Sequence, residues 1–295
     1  MRNRFINDLT NVAKINTNIA LVVGDLGYGV IEEFADLYPD RFFNAGVAEQ
    51  NMMGLCAGLA SEGLHVFAYS IANFPLFRCA EQIRNDIDYH NLPVTIVSVG
   101  GGLSYGNLGY SHHAIQDYAL IRSFPNMLIA SPGDPMEVSS CLDFLIKNPQ
   151  PSYLRLGKSG EDCIHDAPPK INPGIWLKVK TNKNANKTIL TTGAAMSIGM
   201  KRLNKNKNKN KFNLYTMPLW GMKYKNIQSK QIIKHNEINI IEDHLQDGGF
   251  GSWMTESLYN DKDLFSRFTF EYLSDDVCGA VGSQEALNKF GGLVP

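Results

Sequence analysis

Short apolar runs alternate with helix-like segments along the whole chain, and this alternation restricts the possible folds more than any other feature. The clearest runs lie at Ile19–Val23, His65–Tyr69, Val94–Val99 and Met127–Ala130. Most of them are continuous, without the polar–apolar alternation of a strand that has one face in water. Continuous runs of this length are typical of strands buried on both faces. The sequence therefore predicts an α/β fold with a parallel sheet.

The segments between these runs carry helical signals. Predicted helices cover Val47–Ser61, Leu76–Tyr89 and Asp134–Lys147. In the first of them the apolar residues recur with helical spacing. In the third, Asp134 is placed as an N-cap and Pro135 as the first helical residue, a position that proline favours.

A change of composition divides the chain. Residues 161–186 contain three prolines and many lysines and asparagines, which predicts a linker. Further strands follow at Thr188–Thr192, Asn213–Met217, Ile238–Glu242 and Phe268–Leu273. We therefore predict domains at 1–160 and 187–295, two being usual for 295 residues. The low-complexity run Lys205–Lys211 is predicted to be a solvated loop.

Several classes of protein are disfavoured by charge and hydropathy. The formal net charge is −1 and the pI is about 6.7, so no basic face for nucleic acid is expected. No apolar run reaches the roughly 18–20 residues needed to cross a bilayer. The first residues lack the apolar stretch of a signal peptide. The five cysteines are scattered, which disfavours a disulfide framework and a zinc site. We expect a cytoplasmic protein.

Polar residues and glycines concentrate in the loops that follow the predicted strands. Ligands of open parallel sheets bind at the carboxyl ends of the strands, where such loops meet. Among these loops, Glu49 begins a helix that is otherwise apolar and glycine-rich. A carboxylate there also interacts favourably with the helix dipole, so position alone does not make Glu49 functional.

The sequence around Glu49 resembles the signature of transketolases and deoxyxylulose-phosphate synthases, which carry a glutamate in a "G-[IV]-A-E-Q-N-M" run. Weaker resemblances to the same family extend over almost the whole chain. They lie at Val23–Gly27, Gly102–Asp117, Leu120–Pro135, Thr191–Ala194 and Glu242–Ser252. The resemblance implies a thiamin-diphosphate pyrimidine-binding domain followed by a smaller α/β transketolase C-terminal domain.

The resemblance also implies roles for individual residues. Glu49 matches the catalytic glutamate, which hydrogen-bonds the aminopyrimidine ring of thiamin diphosphate. Phe74 and Phe77 lie where the family places ring-stacking aromatics; the alternative is that both pack a helix onto the sheet, and for Phe77 the two interpretations are equally favoured. Asp25 matches a carboxylate near the thiazolium ring, with a turn residue as the alternative. His112 matches a histidine that contacts substrate and transfers protons.

What the sequence lacks bears on its partners. The family binds Mg²⁺ and the diphosphate through a Gly-Asp-Gly motif, and no Gly-Asp-Gly occurs here. The resemblance therefore implies a C-terminal subunit of a split transketolase, which requires an N-terminal partner subunit. The partner would hold the metal and the diphosphate, and none of the residues here is assigned to metal. By analogy we expect a heterotetramer with two copies of each chain.

Departures from the family concern the substrate. His113 is a second candidate substrate contact, and Lys158 stands where the family has a phosphate-binding arginine. Leu108 replaces an acidic residue, and Gly100–Gly102 replaces a His-Asp-Ser run. These changes favour a larger or modified sugar, such as a nucleotide-linked one, over the usual pentose and hexose phosphates.

Two other functions stay open at this point. The chain could be the beta subunit of a 2-oxo acid dehydrogenase or a fragment similar to deoxyxylulose-phosphate synthase, since both families carry the glutamate. It could instead be a non-catalytic structural or regulatory subunit. The combination of Asp25, Glu49 and His112 favours catalysis, because packing does not require these polar residues together.

Overall fold

The computed structural model describes residues 1–205, 211–259 and 261–294, so residues 206–210 of the predicted Lys205–Lys211 loop lie outside it. The strands are β1 (Ile19–Val23), β2 (Phe42–Asn44), β3 (His65–Ile71), β4 (Val94–Val99), β5 (Leu128–Ala130), β6 (Ser152–Leu156), β7 (Leu177–Lys180), β8 (Lys187–Thr191), β9 (Phe212–Thr216), β10 (Leu219–Trp220), β11 (Glu237–Leu245) and β12 (Phe268–Leu273). The α-helices are α1 (Arg2–Ala13), α2 (Glu32–Leu37), α3 (Glu49–Ser61), α4 (Phe74–Phe77), α5 (Ala80–Gln82), α6 (Asp117–Ile121), α7 (Pro135–Lys147), α8 (Ala195–Lys205), α9 (Ser229–Ile232), α10 (Phe250–Glu256), α11 (Lys262–Phe265) and α12 (Gln284–Phe290).

The first sheet confirms the prediction of a parallel α/β fold. Its seven strands run in the order β10-β5-β6-β4-β3-β1-β2, and all neighbouring pairs are parallel except β10 with β5. All four apolar runs predicted for the first domain form strands in it. Alternate residues of β4 enter two different cores, Ile96 on one face and Val97 on the other. Burial on both faces explains why these runs are continuous.

Helices cover the two faces of this sheet. On one face α3 packs Met52 and Cys56 into the core, and on the other α1 and α7 contribute Leu9 and Leu142. Helix α7 begins as predicted, with the side chain of Asp134 accepting a hydrogen bond from the backbone N–H of Glu137. The predicted helix Leu76–Tyr89 is instead divided into α4, α5 and a π-helical segment at Ile83–Asp88. The backbone of Cys79 leaves helical geometry at the first division.

The second sheet has the order β12-β11-β8-β9-β7 and includes all four strands predicted beyond residue 186. The predicted linker 161–186 is wrong at β7, which pairs antiparallel with β9. The side chains of β7 are alternately half-buried and exposed, as at an edge, and so short an alternating segment gave no continuous apolar signal. Strand β10 returns from the second half of the chain to the first sheet. We propose that the chain divides into domains at 1–160 and 187–295. Two strands depart from this division, because β7 lies in the predicted linker but pairs in the second sheet, and β10 lies in the second domain but pairs in the first sheet.

A buried ionic cluster joins the two sheets. Arg155 of β6 donates from Nε to Asp117 Oδ2 at 2.7 Å and from Nη1 to Asp243 Oδ1 of β11 at 2.8 Å. These three side chains are at most 2% exposed. Nη2 of Arg155 donates to the carbonyl of Ala114 at 2.8 Å. One guanidinium therefore connects β6, the loop before α6 and the second sheet.

We expect the substitution Arg155→Met to lower the free energy of unfolding by about 3–5 kcal/mol. It leaves two carboxylates buried without their cation, and breaking a buried ion pair from one side costs this much. Urea unfolding followed by circular dichroism measures the change.

The matched control is Lys147→Met. It removes one cation from the Lys147–Asp143 pair, whose side chains are 69% and 62% exposed. An exposed pair contributes about 0–1 kcal/mol, so this variant should unfold almost as the unaltered chain does. Equal losses in both variants would contradict the structural role given to Arg155.

Candidate active site

The predicted site residues follow the carboxyl ends of neighbouring parallel strands. Asp25 follows β1, Glu49 follows β2 and begins α3, Phe74 follows β3, and His112 lies in the loop after β4. Since these strands are adjacent in the sheet and run in one direction, the loops gather at one edge. The order of strands thus places the candidates in one region before any side chain is considered.

Glu49 is buried, with 4% of the residue exposed. Its Oε1 accepts a hydrogen bond from Nη1 of Arg78 at 2.9 Å, in an ion pair whose arginine is 48% exposed. The arginine therefore reaches from the surface to a buried carboxylate. A buried carboxylate that is paired with a cation remains available as a strong hydrogen-bond partner for a ligand.

Arg78 also contacts Phe74, which in turn contacts His112. Its guanidinium carbon lies 4.2 Å from the centre of the Phe74 ring. The ring of Phe74 meets the ring of His112 edge to face, at 5.1 Å between centres. Glu49, Phe74 and His112 thus belong to one contiguous group, although no two of them are close in sequence.

Sequence reasoning missed Arg78. It is 29 residues from Glu49 along the chain, and a charged residue on a predicted helix is most simply read as a solvated one. Only the arrangement of α3 and α4 brings the two side chains together. Phe77, a predicted cofactor contact, is 49% exposed and lines an adjoining cleft of about 910 Å³ together with Phe74 and Arg78.

Asp25 contacts a different set of side chains from Glu49. Its backbone has φ 54°, in the left-handed region that aspartate tolerates. Its side-chain oxygen accepts hydrogen bonds from Asn44 at 3.0 Å and Tyr28 at 2.9 Å. These bonds, the one from Asn44 first, hold the pKa of Asp25 below its usual value. The carboxyl group is therefore an anion at neutral pH.

The two histidines of the loop differ in environment. Nδ1 of His112 lies 3.0 Å from Ser111 Oγ, and burial, His113 and Arg78 together lower the pKa of His112. His112 is therefore neutral at pH 7 and half-buried beside Phe74. His113 is only 1% exposed, so the ring that we predicted as a second substrate contact is enclosed by the protein in this conformation.

The glycine run after β4 accommodates larger side chains from elsewhere. A Cβ on Gly100 would overlap the ring of Tyr105, and one on Gly102 would overlap the carboxylate of Asp243. A Cβ on Gly101 would lie 2.8 Å from Nε of Arg155. The run that we connected with the substrate is thus also required by packing against Tyr105 and the ionic cluster.

Tyr105 connects two predicted substrate contacts. Its ring centre lies 6.5 Å from that of His112, and Nζ of Lys158 lies 5.5 Å above the same ring. Sequence reasoning assigned Tyr105 no role, although the segment that contains it contributed to the family resemblance. Leu108, which replaces an acidic residue of the family, is 56% exposed.

We expect Arg78→Met to raise the pKa of His112. Arg78 carries a positive charge that disfavours the protonated imidazole, so its removal favours protonation, while burial keeps the pKa below the ordinary value. Titration of the histidine ring protons by NMR measures the shift.

Arg84→Met is the control, because Arg84 is an exposed arginine bonded to Asn85 and is not among the groups that lower this pKa. An unchanged His112 titration in Arg78→Met would remove Arg78 from the electrostatic environment of the site.

Comparison with known proteins identifies relatives of the whole chain. Residues 1–160 match the family described as "Transketolase, pyrimidine binding domain". A putative transketolase C-terminal section of Methanocaldococcus jannaschii is 29% identical, over 99% of this chain and 92% of the relative. One of the subunits of an apulose-4-phosphate transketolase from Phocaeicola vulgatus is 29% identical, over 87% of this chain and 83% of the relative.

A solved structure has the same architecture. It is a split-gene transketolase in an inactive β4 tetramer, with a TM-score of 0.84 and 27% identity, and the match covers 99% of this chain and 93% of that one. Within the described ranges there is no helix long and apolar enough to cross a membrane. The same residues contain no group of three or more histidine, cysteine or acidic side chains that could hold a metal ion.

Proposed function

Because the chain belongs to the transketolase pyrimidine-binding family, we propose that it is the C-terminal subunit of a split, thiamin-diphosphate-dependent transketolase. It would transfer a two-carbon ketol unit between sugar substrates, and only in complex with an N-terminal partner subunit. The observation that carries this proposal is the buried Glu49 at the start of α3, paired with an arginine, Arg78, that also stacks on the ring of Phe74. Similarity over most of the chain to a transketolase C-terminal section and to a separate transketolase subunit supports it.

The residues present fit an aminopyrimidine ring. Such a ring needs an apolar, partly aromatic slot with a few polar groups that fix its orientation. Phe74 and Phe77 line a cleft together with Arg78, the partner of Glu49, and Val47, two residues before Glu49 in sequence, is 72% exposed. Thiamin diphosphate, when bound, supplies the acidic ring carbon at which carbon–carbon bonds are made and broken.

Glu49 would orient the cofactor and hold a proton for it. Its Oε1 is engaged by Arg78, so Oε2, for which the described part of the chain provides no hydrogen-bond partner, would face the ring nitrogen. Burial excludes water from this carboxyl group and strengthens the hydrogen bond that it makes. Arg78 would fix the rotamer of the glutamate without occupying both oxygens.

His112 and Lys158 would act on the sugar. His112, whose pKa is lowered, is neutral at pH 7 and can accept a proton from a substrate hydroxyl and return it. Lys158 would bind a phosphate as a point charge, without the planar fork of an arginine. The ring of Tyr105 lies near both side chains and would help to position them.

The partner subunit would supply the rest of the site. We propose that it holds Mg²⁺ and the diphosphate, and that two copies of each chain form a heterotetramer. One relative is named as a C-terminal section and another as one of an enzyme's subunits, and these names support a division of the enzyme between two polypeptides.

We expect this chain alone to bind thiamin diphosphate with Mg²⁺ weakly, and its mixture with the N-terminal partner to bind tightly and catalyse ketol transfer. Isothermal calorimetry on both samples measures the difference. Tight binding to the isolated chain would refute the two-subunit proposal, because the diphosphate site would then lie here.

Glu49→Gln in the same mixture separates catalysis from assembly. It removes the proton that the carboxyl group can hold, so activity should fall by roughly 10²–10⁴-fold while the complex still forms. Glu62→Gln is the control, since Glu62 is exposed at the other end of α3. Full activity in Glu49→Gln would favour a non-catalytic subunit.

The substrate is proposed to be a larger or modified sugar, such as a nucleotide-linked one, rather than the usual sugar phosphates. Lys158 in place of arginine, the exposed Leu108 and the absence of side chains on Gly100–Gly102 all change the polar groups offered to a sugar phosphate. We expect poor turnover of xylulose 5-phosphate with ribose 5-phosphate by the assembled complex. Efficient turnover of this pair, measured as coupled product formation, would contradict the hypothesis.

A further inference from the structure

A second cleft lies in the C-terminal domain. It has a volume of about 450 Å³ and is bordered by β7, by the first residues of β8 and β9, and by the turn that precedes β11. It therefore opens at the amino ends of the parallel strands β8, β9 and β11. At the other end of β11, Asp243 contacts Arg155 of the first sheet. Its size is in the range of small-molecule sites.

The charged side chains that line this cleft are all positive. Lys178 and Lys234 line it, and none of its lining residues is acidic. Within the part of the chain that the structure describes, neither lysine has an ion-pair partner, whereas the nearby Lys187 is paired with Glu237 at 2.7 Å. Two unpaired cations at one concave surface create a positive potential that attracts anions.

Neutral polar groups add to the two cations. The side-chain oxygen of Asn213 accepts a hydrogen bond from the backbone of Asn182 at 2.8 Å, so its amide N–H groups remain for a ligand. Nδ1 of His235 lies 2.8 Å from Thr188 Oγ1, which leaves Nε2 as the ring nitrogen available to the cleft. Asn236 contributes a further carboxamide.

The floor of the cleft is held rigidly by aromatic contacts. His235 stacks on Trp176 with 5.1 Å between ring centres and meets Tyr215 edge to face at the same separation. Nε1 of Trp176 donates to Gln228 at 3.0 Å, and its backbone N–H donates to Gln231 at 2.9 Å. The polar groups around this floor are therefore positioned before any ligand arrives.

We propose that this cleft is a binding site for a small anionic metabolite, whose phosphate or carboxylate group lies between Lys178, Lys234 and His235. Burial and Lys234 lower the pKa of His235, so the ring is neutral in the free protein, and a bound anion would favour its protonation. The proposal is independent of the transketolase activity, since the cleft belongs to this chain alone and its occupation requires neither partner nor turnover.

The test is calorimetric titration of the 295-residue chain with inorganic phosphate and, separately, with citrate, at fixed ionic strength. Saturable binding of phosphate with little affinity for citrate identifies a phosphate site, and the reverse preference identifies a carboxylate site. No saturable binding of either probe would overturn the proposal.

Two double variants assign the binding to the cleft. Lys178→Gln with Lys234→Gln should weaken it by about tenfold or more, as expected for losing hydrogen bonds from charged donors. The control is Lys180→Gln with Lys230→Gln, which removes the same amount of charge from β7 and from α9 at positions that do not line the cleft. This control should leave the affinity within about twofold of the unaltered chain. Equal weakening in both would indicate non-specific attraction and overturn the site.

A direct readout accompanies the affinities. Trp176 lies at the cleft, whereas the other two tryptophans, Trp220 and Trp253, are fully buried elsewhere in the core. Anion binding should therefore change tryptophan fluorescence in parallel with the calorimetric saturation. Saturation by calorimetry without any fluorescence change would place the anion away from Trp176 and would contradict the proposed location.

Discussion

The position of Arg155 constrains much of the rest of the structure. A guanidinium with 2% exposure must have its charge balanced, and here Asp117 and Asp243 supply the two anions from different parts of the fold. Burial alone would lower the pKa of Arg155, but these carboxylates outweigh it and the pKa lies well above its ordinary value. The second sheet is thereby fixed against the first through a charge interaction rather than through apolar packing alone.

The same ionic cluster helps to fix the conformation of the loop that carries His112. The carbonyl of Ala114 accepts from Arg155, and Ala114 also bridges to Gly102 by backbone pairing. At its other side the loop is held by Asn73, whose side chain donates to the carbonyl of His113 at 2.6 Å. The glycines of the run Gly100–Gly102 follow from this arrangement, since side chains there would collide with Tyr105, Arg155 and Asp243. The residues to which we attribute a role in substrate choice are therefore also the ones that packing against the ionic cluster requires to be glycine.

The candidate site combines a closed side and an open one. Glu49 is buried and paired, while Val47, two residues before it, is 72% exposed, and Phe77 and Arg78 are each about half exposed. Exposed apolar residues around a buried carboxylate are what a site shared with a second polypeptide would leave uncovered in one chain. In the proposed complex, this chain would orient the pyrimidine ring, and its partner would neutralise the diphosphate. The proposed anion-binding cleft lies at the amino ends of strands in the second sheet, whereas the candidate active site lies at the carboxyl ends of strands in the first, so this division would not affect it.

The sequence alone determined the α/β class, eight of the twelve strands that the structure describes (all but β2, β6, β7 and β10), and the placement of Asp25, Glu49, Phe74 and His112 after strands at one edge. These follow from local patterns, because burial on both faces produces continuous apolar runs and parallel strands direct their carboxyl ends one way. Only the tertiary structure decided that Arg78 pairs with Glu49, that Arg155 joins the two sheets, and that β10 pairs in the first sheet and β7 in the second. An ion pair between residues 29 or 88 positions apart leaves no periodic trace in a sequence, and strands of two to four residues are too short to produce one.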